Sequence, residues 1–567
     1  MKNVERRKEL LLSFSALWAD QPEPELGILL AAVPLTPAIE QIAYLLQRMV
    51  TRTKDQVQFH QQELGMWATQ LEGDAQELVT LFMQVHDEYP TPAFRLTNRR
   101  NCLILMESLL MHSKGIDENL NAANQNAIFK ALLVINGANI KGQEEMFNWD
   151  GAGDADHFLD IVLPAHMGNL GITRMRDYQA QLIKAVYFFE FCMEDAQYSN
   201  YLAAFLKHYS FGRYEEYLRL VFHPYLAYMT NREPTPKFNI DPDFEAAISF
   251  FDHLAINGRP IVQDDFRTLR EYPVYKSDKT TFTFLFTNFL ADKMYMGMLF
   301  DFARIVPLGG FNEMNFGKLK NDLGNDFSEH VLFYRTMRRC FGRFGQVHIS
   351  GEELKKRLLI AEPDFYIRDG RKVLLFEFKD VLLRADVKNS SDATSIREEL
   401  TEKLDLSTKE RTKAQPKATR QLLNSIQVLL SGDYRSLGID DCDPETLMIY
   451  PVLVHTDAAL ETSGVNYFLK EKLNGLIADA GLPKSRIKDL AVVHIDMLLS
   501  IQDLFNHNKV TLTTCINDFI AFTKEGGVLN QMIPFDEFLK YYLARKKMSW
   551  LKASDEFNRL VQQLFTY

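Results

Sequence analysis

The chain has 567 residues, 46% hydrophobic and 25% charged, enough for roughly two to four domains with ordinary cores and no disordered bias. Its 64 Lys and Arg against 75 Asp and Glu leave a net charge of −11, which argues against a protein that coats nucleic acid along its whole surface but leaves room for a local basic channel. Cys102, Cys192, Cys340, Cys442 and Cys515 are too scattered for a disulfide or zinc framework, Met1–Leu10 is charged with no apolar leader after it, and the most apolar window, Leu26–Leu46, is broken by Pro34, Pro37 and Glu40; a cytoplasmic protein with no membrane span is the expectation.

Residues 1–235 read as a helical domain by the spacing of apolar residues, as at Leu78–Val85, Ile128–Ile135 and the long run Asp177–Phe211. His157 beside Asp154 and Asp156 has ligand chemistry, but its glycine-rich surroundings favour a solvated turn. Pro234, Pro236 and Pro242 mark a linker. A small α+β adaptor is expected over 244–310: a helix over Phe244–Ala255, a hairpin from Tyr272–Lys276 and Thr281–Leu285, and a helix over Asn288–Phe302. From 311 to 500 the order becomes helix (Phe327–Phe341, capped at Asn325 or Asp326), hairpin, charged segment (Ala385–Thr408), helix (Ala418–Leu430), strand (Thr446–Val454), helix (Val465–Ala480) and strand (Leu490–Ile495). Mixed strands with helices on both faces imply an α/β/α sandwich, followed by a helical C-terminal extension over 501–567. The fold class expected is therefore α+β and multidomain.

Chemistry concentrates in Glu362–Lys379. Residues 363–366 and 371–376 are rich in aromatic and branched side chains, and Asp369-Gly370 is a two-residue hairpin signal. A turn centred there pairs Ile367 with Lys372, so Asp364, Leu375, Glu377 and Lys379 share one face, with Asp364 and Glu377 as diagonal neighbours. Leu374, Phe376 and Phe378 occupy the other face. Two carboxylates and an ammonium at the end of a buried strand are costly unless they bind something. Upstream, Glu329 falls on the helical stripe of Phe333, Met337 and Cys340, an expensive place for an acid unless a cation or donor meets it.

Glu362-Pro363-Asp364 with Glu377-Phe378-Lys379 resembles the PD-(D/E)xK nuclease superfamily, the restriction-endonuclease-like fold, over roughly residues 315–500. The resemblance implies that Asp364, Glu377 and Glu329 bind Mg²⁺ or Mn²⁺, with the Phe378 carbonyl as a further ligand, and that Lys379 orients water or neutralises developing charge. It also implies a basic or glutamine side chain on the helix after the lysine strand, for which Lys413, Lys417, Arg420 and Gln421 are candidates. Lys409–Arg420 carries five basic residues and one acid, and Arg335–Arg343 carries four arginines and no acid. With Arg335, Arg338 and Arg339, these two windows would flank a phosphate-tracking groove.

The expectation is a metal-dependent endonuclease, DNA being its more natural substrate than RNA, with a homodimer or a protein partner engaged through the helical N-terminal region. A helical region ahead of such a domain is also a layout of prokaryotic antiviral defence and restriction effectors. The alternative is a catalytically inactive nuclease-fold scaffold that binds nucleic acid or a partner. Neither a P-loop nor a base-reading motif is present.

Overall fold

Strand-forming residues between 347 and 494 build the sheet that positions the candidate site. In this computed structural model, which describes residues 9–51, 56–88, 93–115, 119–138, 154–230, 235–342, 346–390, 392–407 and 415–566, the sheet has five strands: β1 (Val347–Ser350), β2 (Phe365–Asp369), β3 (Lys372–Lys379), β4 (Met448–His455) and β5 (Ala491–His494). Their spatial order is β5-β4-β3-β2-β1. β1 with β2 and β2 with β3 pair antiparallel, while β4 pairs in parallel with β3 on one side and β5 on the other. β3 lies centrally, and its run from Val373 to Phe378 is buried.

The hairpin register differs from the sequence expectation by two residues. Asp369 pairs with Lys372 and Phe365 with Phe376, so Gly370-Arg371 makes the turn. Gly370 has φ 60°, the conformation that a turn with glycine at its first central position requires. Because the slip is even, every side chain keeps its face. Continuing the register by one residue sets Asp364 level with Glu377 rather than diagonal to it.

Pro451 sits inside a central strand, where its missing N–H would leave a gap. Ile449 accepts from Lys488 N on the β5 side. Backbone groups alternate in direction along a strand, so Pro451 also turns toward β5, and that ladder begins only at Val452.

Helices cover both faces. In chain order they are α1 (Tyr178–Glu194), α2 (Phe316–Leu323), a π-wound segment over Gly324–Phe333, α3 (Tyr334–Phe341), α4 (Gly351–Lys356), α5 (Ala418–Leu430), α6 (Val465–Asp479), α7 (Ile495–Asn506) and α8 (Asp555–Phe565). The π segment and α3 lie on the Phe376/Phe378 face, with Phe333 stacked on Phe378 at 4.8 Å and Phe341 against Phe376 at 5.8 Å. The other face, which carries Tyr366, Leu375 and Glu377, is covered by α5 and the turn after it, where Tyr434 packs on Tyr366 at 4.8 Å. The helix expected at Phe327 thus starts at Phe316, capped by Asn315, whose side chain accepts from Lys318 N. The charged segment after β3 is also largely helical, at Ala385–Lys388 and Ala393–Leu404.

By their internal contacts the residues form two units rather than four consecutive blocks. One comprises Met1–Trp149, Ile172–Arg176 and Leu206–Phe302, the other Asp150–Gly171, Asp177–Phe205 and Ala303–Tyr567. The reason is where apolar faces are buried. Leu103, Phe129, Phe266, Leu269, Leu285 and Phe289 belong to one core, so the 244–310 region shares a body with the early helices. In that body Lys237–Asn239 joins Thr281–Phe284 and Val274–Lys276 as a third antiparallel strand. The Tyr178–Glu194 helix instead gives Tyr187 Oη to Glu556 of α8 at 2.8 Å, inside the unit that holds the sheet. Asp154 accepts from His157 N, the expected turn at the start of a helix over Ala155–Thr173. All five cysteines are buried and unbridged. Among the described residues no helix is long and apolar enough to cross a membrane.

Candidate active site

β2 ends one residue short of Asp364, and the Asp364 carboxylate takes over where the ladder stops: its Oδ2 accepts from Phe378 N at 2.7 Å. That bond holds the side chain against β3. From β3 itself, Glu377 and Lys379 project to the same side, and Lys379 Nζ donates to Glu377 Oε1 at 2.5 Å and lies 4.0 Å from Asp364 Oδ2. Glu377 is 1% exposed, and its Oε2 has no hydrogen-bond partner among the described residues. Burial, followed by the Asp364 charge, pushes the Glu377 carboxyl up to about 8. Burial alone would lower the Lys379 ammonium, but the Glu377 and Asp364 charges outweigh it and hold the group above its ordinary value. Acids outnumber the one ammonium, so in the absence of a further cation the most buried acid, Glu377, is the one that keeps a proton.

Glu329 reaches the same cluster from the π segment. Burial and then Asp364 raise its carboxyl above the usual range, and Tyr334 Oη donates to its Oε1 at 3.0 Å. The winding explains a difference from expectation. A stripe drawn at 3.6 residues per turn puts Glu329 with Phe333 and Met337, which are fully buried. In a π-wound turn the neighbour is five residues on, so Glu329 meets Tyr334 and stays half-buried. Wide turns of this kind occur often at functional sites, and nothing in the sequence signalled this one.

The carboxylates have the chemistry of hard-cation ligands. Glu377 offers an orphaned buried oxygen, and Asp364 has one oxygen outside its hydrogen bond to Phe378. The residues therefore fit a divalent cation in ligand type and charge. Among the described residues no group of three or more His, Cys, Asp or Glu side chains is already gathered to hold a metal, and Lys379 Nζ occupies one oxygen of Glu377.

The expected phosphate-binding residues divide. Gln421 lies on α5 one turn before Ser425, whose hydroxyl donates to the Ala361 carbonyl at 3.0 Å, three residues upstream of Asp364. Gln421 Oε1 is buried without a partner among the described residues. Lys417 is the N-cap of the same helix. Arg420 is held by Asp405, Nε to Oδ1 at 3.3 Å, and Lys413 lies outside the described residues. On α3, Arg335 pairs with Glu190 at 2.8 Å and covers the Tyr187 ring, and Arg339 pairs with Glu556 at 2.7 Å. These two arginines fasten α3 to α1 and α8, so both already serve the fold as ion-pair partners, and Arg343 of the same window lies outside the described residues. Arg338 is exposed.

Three sets of contacts lay beyond the sequence reading. Asp380, next to Lys379, accepts from Lys320 of α2, from Ser328 of the π segment at 2.6 Å and from Thr456 just past β4 at 2.6 Å. His455 is fully buried and level with Lys379 on the neighbouring strand. Lys355 of α4 lies 3.7 Å from Glu362. Each depends on contacts between segments distant in sequence. No protein-family model matches the chain, and neither a curated protein nor a solved structure matches it significantly.

Proposed function

We propose that the chain is a metal-dependent nuclease that hydrolyses phosphodiester bonds, with DNA as its favoured substrate. The observation that carries this reading is the meeting of Asp364, Glu377 and Lys379 at a buried carboxylate oxygen with no partner among the described residues, with Glu329 near enough to feel the Asp364 charge. A five-stranded sheet with an antiparallel hairpin at the acids, parallel strands beyond and helices on both faces supports a restriction-endonuclease-like sandwich as its frame.

Asp364, Glu377 and Glu329 would hold Mg²⁺ or Mn²⁺, which when bound supplies Lewis acidity toward the phosphoryl group and makes water a better nucleophile. The chain's own part is positioning and charge. Asp364 is fixed by the Phe378 N–H, and Glu377 by its strand and by Lys379. Lys379 stays protonated beside its acids and presents N–H donors where negative charge grows on phosphate. Gln421 adds a neutral polar group on the helix over the Glu377 face.

The test is cleavage of single- and double-stranded DNA and RNA with Mg²⁺ or Mn²⁺, comparing wild type with Asp364→Ala and Lys379→Ala. Both substitutions should reduce cleavage at least about 100-fold, the usual scale for losing one transition-state donor. Full activity in both variants refutes the site.

A second reading, an inactive scaffold on the same frame, draws support from the Lys379–Glu377 pair, which already neutralises the buried acid. Under it, nucleic acid would bind without metal, without product, and unaffected by Glu377→Ala.

A further inference from the structure

Between β1 and Asp364 the chain makes a loop closed tightly at its base. Gly351 N donates to the Asp364 carbonyl at 2.9 Å, and a Cβ on Gly351 would meet Pro363 O at 3.0 Å and Asp364 Cα at 3.2 Å, so a side chain there would press this backbone apart by a few tenths of an ångström. Ser425 holds the Ala361 carbonyl, and Leu359, 4% exposed, anchors the middle in the core. The tip therefore moves as one piece with the backbone of Asp364.

At the tip, Leu358 is 80% exposed and Ile360 82%, the two most exposed large apolar side chains among the described residues. Leu358 (φ 62°) and Ala361 (φ 59°) both adopt the left-handed conformation that side chains disfavour. A strained backbone thus turns two aliphatic side chains outward on either side of a buried anchor. Lys355, Lys356 and Arg357 lead into the tip, all exposed. Lys355 is shared between Glu352 and Glu362, and Arg357 touches the Ile439 carbonyl at 3.4 Å, while Lys356 has no ion-pair partner among the described residues.

We propose that Leu358 and Ile360 form a wedge that enters double-stranded nucleic acid beside the bond to be cut and unstacks a base step there. The inference rests on the nuclease reading of Asp364, Glu377 and Lys379 and deepens it by naming a duplex as the substrate. Aliphatic side chains inserted between bases are how many proteins kink a duplex, and basic residues beside the wedge meet the adjoining phosphates. A solvent-facing pair of this kind has no value to the fold itself, whereas four and six residues before the aspartate proposed to hold the metal it would keep the opened step at the site.

The experiment uses the full chain with duplexes carrying 2-aminopurine, in Ca²⁺ to hold back cleavage, comparing wild type, Leu358→Ser/Ile360→Ser and Leu358→Met/Ile360→Met. Both positions are exposed, so the serine variant should keep its thermal midpoint. Wild type and the methionine variant should raise 2-aminopurine fluorescence, and the serine variant should lose that rise and at least tenfold in duplex affinity. Equal fluorescence and affinity in all three overturns the wedge. So does a serine variant that only changes sedimentation, from dimer to monomer, which would make the tip a contact between copies. Cleavage in Mg²⁺ separates the two ideas: cutting without unstacking removes the wedge alone, and unstacking without cutting by wild type removes the nuclease reading alone.

Discussion

Lys379 Nζ stands 2.5 Å from Glu377 Oε1, two residues away on the same strand. The pleat makes this proximity unavoidable, since residues two apart share a face. Its energetic sense is less simple. The Glu377 carboxylate is almost wholly buried, one of its oxygens has no partner, and Asp364 adds a like charge. One ammonium shared by three acids does not balance the cluster, and the imbalance gives the site an appetite for a proton or a cation.

The metal-free protein should accordingly lose stability as pH rises. The folded-state value for Glu377 is about 8, above the ordinary glutamate value of 4.5. A raised value means that the folded state binds the extra proton, so this contribution is complete below about 4.5 and is lost as pH climbs through about 8. Within that window the slope is about 1.4 kcal/mol per pH unit. Glu377→Gln keeps the shape without the titration. Denaturant unfolding from pH 5 to 9 should show a falling wild-type curve and a flatter curve for the variant, and parallel curves would refute the assignment.

A divalent cation should reverse that trend. Binding to the folded state alone at a concentration 100 times its dissociation constant stabilises by about 2.7 kcal/mol. Because the carboxylates must be deprotonated, the rise in thermal midpoint with Mn²⁺ should be larger at pH 8.5 than at pH 6 and should vanish in Asp364→Asn/Glu377→Gln. An equal rise in the variant would place the ion elsewhere.

Arg339 and Glu556 form an ion pair that braces α3 against α8. Glu556 is 2% exposed and receives Tyr187 Oη, Arg339 and Arg559 together. Glu556→Ala should cost about 1–3 kcal/mol, because the buried Tyr187 hydroxyl loses its acceptor while the two arginines remain half-exposed to water. Arg339, 42% exposed, should cost about 1 kcal/mol or less on replacement by alanine. Both losses should appear in unfolding curves, with affinity for nucleic acid unchanged at fixed salt; a weaker salt dependence in Arg339→Ala would restore the phosphate reading.

The sequence carried what depends on local chemistry. Alternation along residues 372–379 and the Gly370 turn placed Asp364, Glu377 and Lys379 on one face, and a two-residue error in register did no harm because it preserved parity. Whatever depends on long-range geometry was illegible. The π winding that turns Glu329 toward Tyr334 has no local signature, and arginine windows look alike whether they face phosphate or a buried glutamate. The same holds for body boundaries, since Tyr178–Glu194 and its neighbours are equally helical on paper whichever core they join.

Asp380 shows how a residue beside the site can matter without touching substrate. It follows Lys379 directly and gathers Lys320, Ser328 and Thr456, so the end of β3 is tied at once to α2, to the π segment that carries Glu329, and to the exit of β4. Asp380 is therefore a positioning residue. Ser328→Ala and Thr456→Val each remove one donor from the same carboxylate and should cost about 1 kcal/mol apiece. Because the donors share an acceptor, the double variant should depart from additivity by about 0.5 kcal/mol or more, which unfolding measurements can resolve. Asp380→Asn should lower kcat more than it raises KM, since it loosens the placement of Lys379 relative to Glu329 without removing either group. An unchanged kcat in Asp380→Asn, with stability lost all the same, would reduce the network to a structural tie.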